Sequence, residues 1–121
     1  MANPVIRDRT DNMNETAGTT EGPVMLVNLF TPKPGMADEF IRAQTAEYVR
    51  LRGLVKGHIS NRLGRAVDGS NQLVNVALFD TMENYNAWRA STLFAEHLAI
   101  IAPLIQESAP GLYAVAYDYG V

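Results

Sequence analysis

Two short runs constrain this chain more than any others: VMLVNLF at 24–30 and QLVNVALF at 72–79. Successive side chains of a strand point to opposite faces, so a run that is apolar at both odd and even positions needs cover on both sides. A chain of 121 residues builds one core of ordinary size and not two. Each run also has an asparagine at its centre, Asn28 and Asn75. A carboxamide brings several hydrogen-bonding positions into a setting from which asparagine is usually depleted, so both residues need a reason.

The segments between the runs alternate in type. TPKPG closes the first run with two prolines and a glycine. Met36–Arg52 then predicts a helix, with Asp38 and Glu39 in its first turn, Arg50 and Arg52 in its last, and Gly53 as the left-handed stop. Ala37, Phe40, Ile41, Tyr48 and Leu51 form its buried stripe. Residues 55–65 and 72–79 flank AVDGSN and predict a hairpin. Asp80 with Glu83 fits a capping box opening a second helix that bears Tyr85 and Trp88 on one face. LFAEHLAIIAPLI predicts a short helix interrupted near Pro103, and GLYAVAYDYGV a last strand.

The order βαββαβ, with right-handed crossovers, predicts a ferredoxin-like α+β sandwich. Its antiparallel sheet has four strands, the first and third adjacent in the middle, and its helices lie on one face. Met25, Val27, Leu29, Val74, Val76 and Leu78 make one face wholly apolar, while Asn28 and Asn75 share the other with Val24, Leu26, Phe30, Leu73 and Phe79. An open apolar face of that extent exceeds what monomers usually expose. A second copy packed sheet to sheet, a dimeric barrel, would cover it and leave both asparagines beneath the helices.

Composition narrows the function. A formal charge of −3 offers no basic field for nucleic acid. With no cysteine, disulfides, thiolate metal sites and cysteine nucleophiles are excluded, and two histidines are too few for a metal cage. Residues 1–22 are polar and mixed in charge, without the apolar segment of a signal peptide. They predict an extension that does not order by itself and lies on a partner subunit, ahead of a domain at 23–121 in a cytoplasmic protein that makes no membrane contact.

LVNLFTPKPGMADEF, QLVNVALFDTMENYNAW and STLFAEH together resemble the antibiotic biosynthesis monooxygenase family of dimeric α+β barrels, over nearly everything from Val24 onward. The resemblance implies a homodimer, and a monooxygenase of one of two kinds. In the cofactor-independent branch, asparagines on the first and third strands line the pocket with a tryptophan four residues after the second. Here these positions hold Asn28, Asn75 and, in place of the tryptophan, Phe79. That branch implies a small aromatic, polyketide-like substrate whose own carbanion passes an electron to dioxygen. The amides then donate to the developing oxyanion, and Trp88 and Phe79 hold the rings. In the haem-degrading branch, Asn28, Trp88 and His97 match a distal donor, a residue pressing on the macrocycle and a proximal ligand. A third reading is a non-catalytic ligand-binding protein on the same scaffold.

Each residue also has a purely structural reading. Asn28 and Asn75 could satisfy each other across the strands, Trp88 could anchor the core, and His97 fits a surface or capping histidine. Gln44, Tyr48 and His58 could reach the cavity or lie at an interface or on the surface. No dinucleotide glycine pattern, phosphate loop or metal cluster is visible, so oxygen would be activated by an electron-rich substrate, with no cofactor, or by haem.

Overall fold

A computed structural model describes residues 3–8 and 22–119. Its elements are β1 (Val5–Ile6), β2 (Val24–Pro32), α1 (Ala37–Leu51), β3 (His58–Arg65), β4 (Leu73–Phe79), α2 (Met82–Arg89), α3 (Thr92–Ile101), a 3-10 turn (Ala102–Leu104) and β5 (Ile105–Ala114). The two asparagine-bearing runs pair with each other. β2 lies antiparallel to β4 with Val24 opposite Phe79, Val27 opposite Val76 and Asn28 opposite Asn75. Around this pair the sheet order is β1-β5-β2-β4-β3.

The faces separate as the period of two requires. Along β4, Leu73, Asn75, Ala77 and Phe79 are buried, whereas Val74, Val76 and Leu78 are only half-buried. Under the helices the core forms two clusters. One joins Val24, Ala77 and Phe79 to Tyr85 of α2 and Leu112 of β5; the other joins Phe30 and Leu73 to Phe40 of α1, Ile101 of α3 and Ile105. The opposite face, with Met25, Val27 and a Leu29 that is 42% exposed, has no helix over it among the described residues.

Four details differ from the sequence expectations. The sheet has five strands rather than four, because Val5 and Ile6 pair in parallel with Glu107 and Ser108 of β5. Most of the polar extension lies outside the described residues. The last strand is Ile105–Ala114 rather than Gly111–Val121. Pro110 is tolerated in it because β1 reaches only Glu107 and Ser108, so beyond them the missing N–H faces an unpaired edge. The cap of α2 is Thr81, whose Oγ1 accepts from Asn84 N at 3.1 Å. Asp80 instead accepts from the Asn84 side chain at 2.8 Å. In α1, Ala37, Phe40 and Leu51 are buried as expected, but Gln44 and Glu47 are buried with them while Ile41 and Tyr48 are half-buried. Among the described residues no helix is long and apolar enough to cross a membrane.

The approach to β3 turns on Gly57. Its φ is +82°, and a Cβ there would run into Asp80 Oδ1 and lie 2.7 Å from Asn84 Cβ. Gly57→Ala therefore combines an unfavourable backbone conformation with a clash, and should cost about 1–3 kcal/mol. In a thermal melt the midpoint should fall by roughly 4 °C or more.

Candidate active site

Between the helix-side face of the sheet and the three helices lies a cavity of about 180 Å³. Asn28 of β2, Gln44 and Tyr48 of α1, His58 of β3, Asn75 and Phe79 of β4, Trp88 of α2 and His97 of α3 all line it. Pro4, Ile6 and Asp8, alternate residues of the N-terminal segment, close one side. Asp8 pairs with Arg89 at 3.4 Å, and Arg7 N donates to Ser108 O at 2.7 Å.

The two asparagines do not satisfy each other. Asn28 Oδ1 accepts from Ser108 Oγ at 2.9 Å. Asn75 Oδ1 accepts from Tyr48 OH at 2.8 Å and from Asn61 Nδ2 at 2.5 Å. Each amide is thus anchored by its carbonyl oxygen, and among the described residues nothing accepts from either NH2 group. The Asn75 anchor continues in both directions: Gln44 Nε2 donates to Tyr48 OH at 3.0 Å, and Asn61 Oδ1 meets His58 Nε2. Burial pushes the Tyr48 phenol up to about 12, so it keeps its proton and remains a donor. Gln44 is 1% exposed, and its buried Oε1 has no partner among the described residues.

His97 is neither a surface nor a capping histidine. It is 8% exposed, and its Nδ1 lies 3.0 Å from Glu47 Oε1. Arg50 grips the same carboxylate through Nη2 at 2.7 Å and Nε at 2.8 Å. The Arg50 bonds, helped by His97, hold Glu47 below the usual carboxylate range despite burial. Burial lowers His97 below its ordinary value and outweighs the pull of Glu47 in the other direction. The pair at neutral pH is therefore a carboxylate and a neutral imidazole that donates from Nδ1. Trp88 stands 6.1 Å from this ring and edge-on to Phe94 at 5.4 Å, so it both packs the core and walls the cavity. Phe79 meets Tyr85 edge-on at 5.4 Å.

Sequence reasoning passed over Ser108, Asn61, Glu47, Arg50 and the N-terminal wall. A signal for Glu47 existed: with Gln44 it interrupts the stripe Phe40, Gln44, Glu47, Leu51 at helical spacing, where a polar residue is buried or the stripe is not a stripe.

Residues 23–100 match the antibiotic biosynthesis monooxygenase family. The chain belongs to that family. Several solved structures share its fold. A candidate antibiotic biosynthesis monooxygenase from Caulobacter crescentus is 14% identical with a TM-score of 0.74, covering 88% of this chain and 99% of its own. SnoaB, a cofactor-independent oxygenase from Streptomyces nogalater, is 22% identical with a TM-score of 0.71, covering 80% and 96%. Rv0793 from Mycobacterium tuberculosis is 20% identical with a TM-score of 0.69, covering 81% and 99%. No curated protein matches the sequence. Among the described residues of this family member, no group of three or more His, Cys, Asp or Glu side chains could hold a metal ion.

The Glu47–His97 pair predicts an acid-labile fold. Both groups bind fewer protons folded than unfolded, so stability is full above their ordinary values of 4.5 and 6.5 and is lost as pH falls, first through His97 and then through Glu47. Melting midpoints should fall between pH 7 and pH 5, with a slope of at most about 1.4 kcal/mol per pH unit for one proton. His97→Gln should flatten that interval.

Proposed function

We propose that this protein is a cofactor-independent monooxygenase acting on a small hydroxylated aromatic compound. The observation that carries the reading is the pair of amides, directly opposite each other across β2 and β4, each with its oxygen tied back and its NH2 without an acceptor among the described residues, in a largely apolar pocket. Donors fixed before the reaction, in a site from which water is excluded, stabilise an oxyanion without reorganising. An electron-rich arene reacting as its anion gives one electron to dioxygen. The radical pair couples, and Asn28 and Asn75 hold the oxygen on which charge collects. One oxygen atom ends in the product carbonyl and the other in water, so no external reductant is needed. Phe79 and Trp88 orient the ring.

Cavity size speaks to the substrate. An engineered apolar cavity of about 150 Å³ takes up benzene, so 180 Å³ suits one or two rings. In the haem alternative, His97 is the residue whose donor chemistry would suit iron. SnoaB, which shares the fold, is a cofactor-independent oxygenase, in keeping with this reading.

The reading includes a homodimer through the open sheet face, where Val27, Val76 and Leu29 need cover. Light scattering at micromolar concentration should give a dimer, and Val76→Asp should abolish it; a compact, stable wild-type monomer would count against the barrel. Asn28→Ala should keep the dimer, melt within a few degrees of wild type, and lose on the order of a hundredfold in oxygen uptake with an anthrone or naphthol. Loss of stability with full activity per folded molecule would make Asn28 a structural amide. The protein should not change the Soret band of added hemin; a change that His97→Ala removes would favour haem chemistry instead.

A further inference from the structure

Oxygenation through a substrate anion requires that a proton leave the substrate, and the two amides, which are donors, cannot take it. His97 can. Its ring is held from behind by Glu47, which is 4% exposed and does not line the cavity, and Glu47 is in turn held by both Arg50 contacts. With Nδ1–H donating to that carboxylate at 3.0 Å, the lone pair is on Nε2. Nε2 has no partner among the described residues, and the ring lines the cavity. A carboxylate behind an imidazole fixes the tautomer, orients the ring and stabilises the imidazolium that forms when Nε2 accepts a proton. The cavity lining thus holds an acceptor, His97 Nε2, together with two donors, the amides of Asn28 and Asn75. A hydroxyl that gives a proton and then becomes an oxyanion meets both halves.

We propose that His97 is the general base of this site, its Nε2 taking the hydroxyl proton of a one- or two-ring hydroxyarene, with Glu47 as its positioning residue. The steps after the proton transfer rest on the oxygenase reading. In the first step the arene O–H bond breaks, Nε2–H forms, and the electron pair stays on oxygen. The imidazolium lies against the Glu47 carboxylate. After one-electron transfer to dioxygen and radical coupling at a ring carbon bearing hydrogen, Nε2–H protonates the terminal peroxide oxygen. Nε2 then takes the proton from that carbon, the C–H pair forms the carbonyl and the O–O bond breaks. The departing hydroxide recovers the proton as water. Overall, hydroxyarene and dioxygen give quinone and water, with four electrons passing from substrate to oxygen.

The charged groups around His97 are few. Glu47 and Arg50 come from α1. Glu96, on His97's own helix, lies 3.8 Å from Arg50. From α2, Trp88 faces the ring, and Arg89 is turned to Tyr85 at 3.0 Å and to Asp8. Burial keeps the imidazole neutral at pH 7, as a base requires.

The probe is 4-nitrophenol, a one-ring hydroxyarene inert to dioxygen whose anion, unlike its acid, is coloured. Bound to the wild-type protein it should ionise about one pH unit or more below its value in free solution. His97→Gln should bind it and lose most of that shift. Oxygen uptake with a naphthol at pH 7 should fall about 10²–10⁴-fold in His97→Gln and recover as pH rises past the substrate's own ionisation. Glu47→Gln should lower uptake about 10–100-fold and move the acidic limb of the pH profile, which a merely structural role would not do. It carries the test should His97→Gln fail to fold. A probe that does not bind, that ionises as in free solution, or that shifts equally in wild type and both variants would overturn the proposal. A shift that depends on His97 without oxygen uptake on any hydroxyarene would leave the base in place and refute the oxygenase reading.

Discussion

The structure depends on the register of one strand pair. Because Asn28 stands opposite Asn75, every helix-facing residue of β2 meets a helix-facing residue of β4: Val24 against Phe79, Leu26 against Ala77, Phe30 against Leu73. A slip of one residue would turn the side chains of one strand over, sending its amide to the open face and a valine into the cavity. The buried aromatic ends of the pair, Phe30 and Phe79, resist that slip, and so the hydrophobic clusters that stabilise the sheet also aim the site.

The polar groups of the cavity are each tied at one end and left open at the other. Asn28 is tied by Ser108, Asn75 by Tyr48 and Asn61, Gln44 through its Nε2, and His97 through Nδ1. An unmet buried hydrogen-bonding group costs about 1–3 kcal/mol, and among the described residues Gln44 Oε1 is the one buried side-chain atom left without a partner. The tied ends remove the freedom to rotate, and the open ends are the part of the site that a ligand completes. Stability is given up where chemistry needs an unfilled valence.

Much of this arrangement was legible in the sequence. A strand's period of two is rigid, so the faces of 24–30 and 72–79 separate on paper, and a carboxamide in an apolar strand announces itself. A pocket beneath the helices was expected for Asn28, Asn75, Phe79 and Trp88, whereas Gln44 and Tyr48, which the sequence left equally open to the surface or an interface, line the same cavity. The rest was hidden for definite reasons. Ser108 sits in QESAPG, which looks like a turn because Glu107 and Pro110 suit a strand only where its far edge is nearly unpaired. Val5 and Ile6 pair through two residues of backbone, which leaves no side-chain pattern to recognise. His97 looked like a surface residue because its partner, Glu47, is fifty positions away and carries a charge that only Arg50 and the fold make compatible with burial.

Ser108 has two attachments. Its carbonyl accepts from Arg7, the residue that fixes the N-terminal wall, and its hydroxyl donates to Asn28, the residue that presents the first amide. The wall is held by the pairing of Val5 and Ile6 with β5, by an ion pair between Arg7 and Glu107 at 3.2 Å and by one between Asp8 and Arg89 at 3.4 Å. Because one serine is bound to Arg7 through its carbonyl and to Asn28 through its hydroxyl, a substitution that displaced the N-terminal strand would act on the donor as well as on the cavity wall.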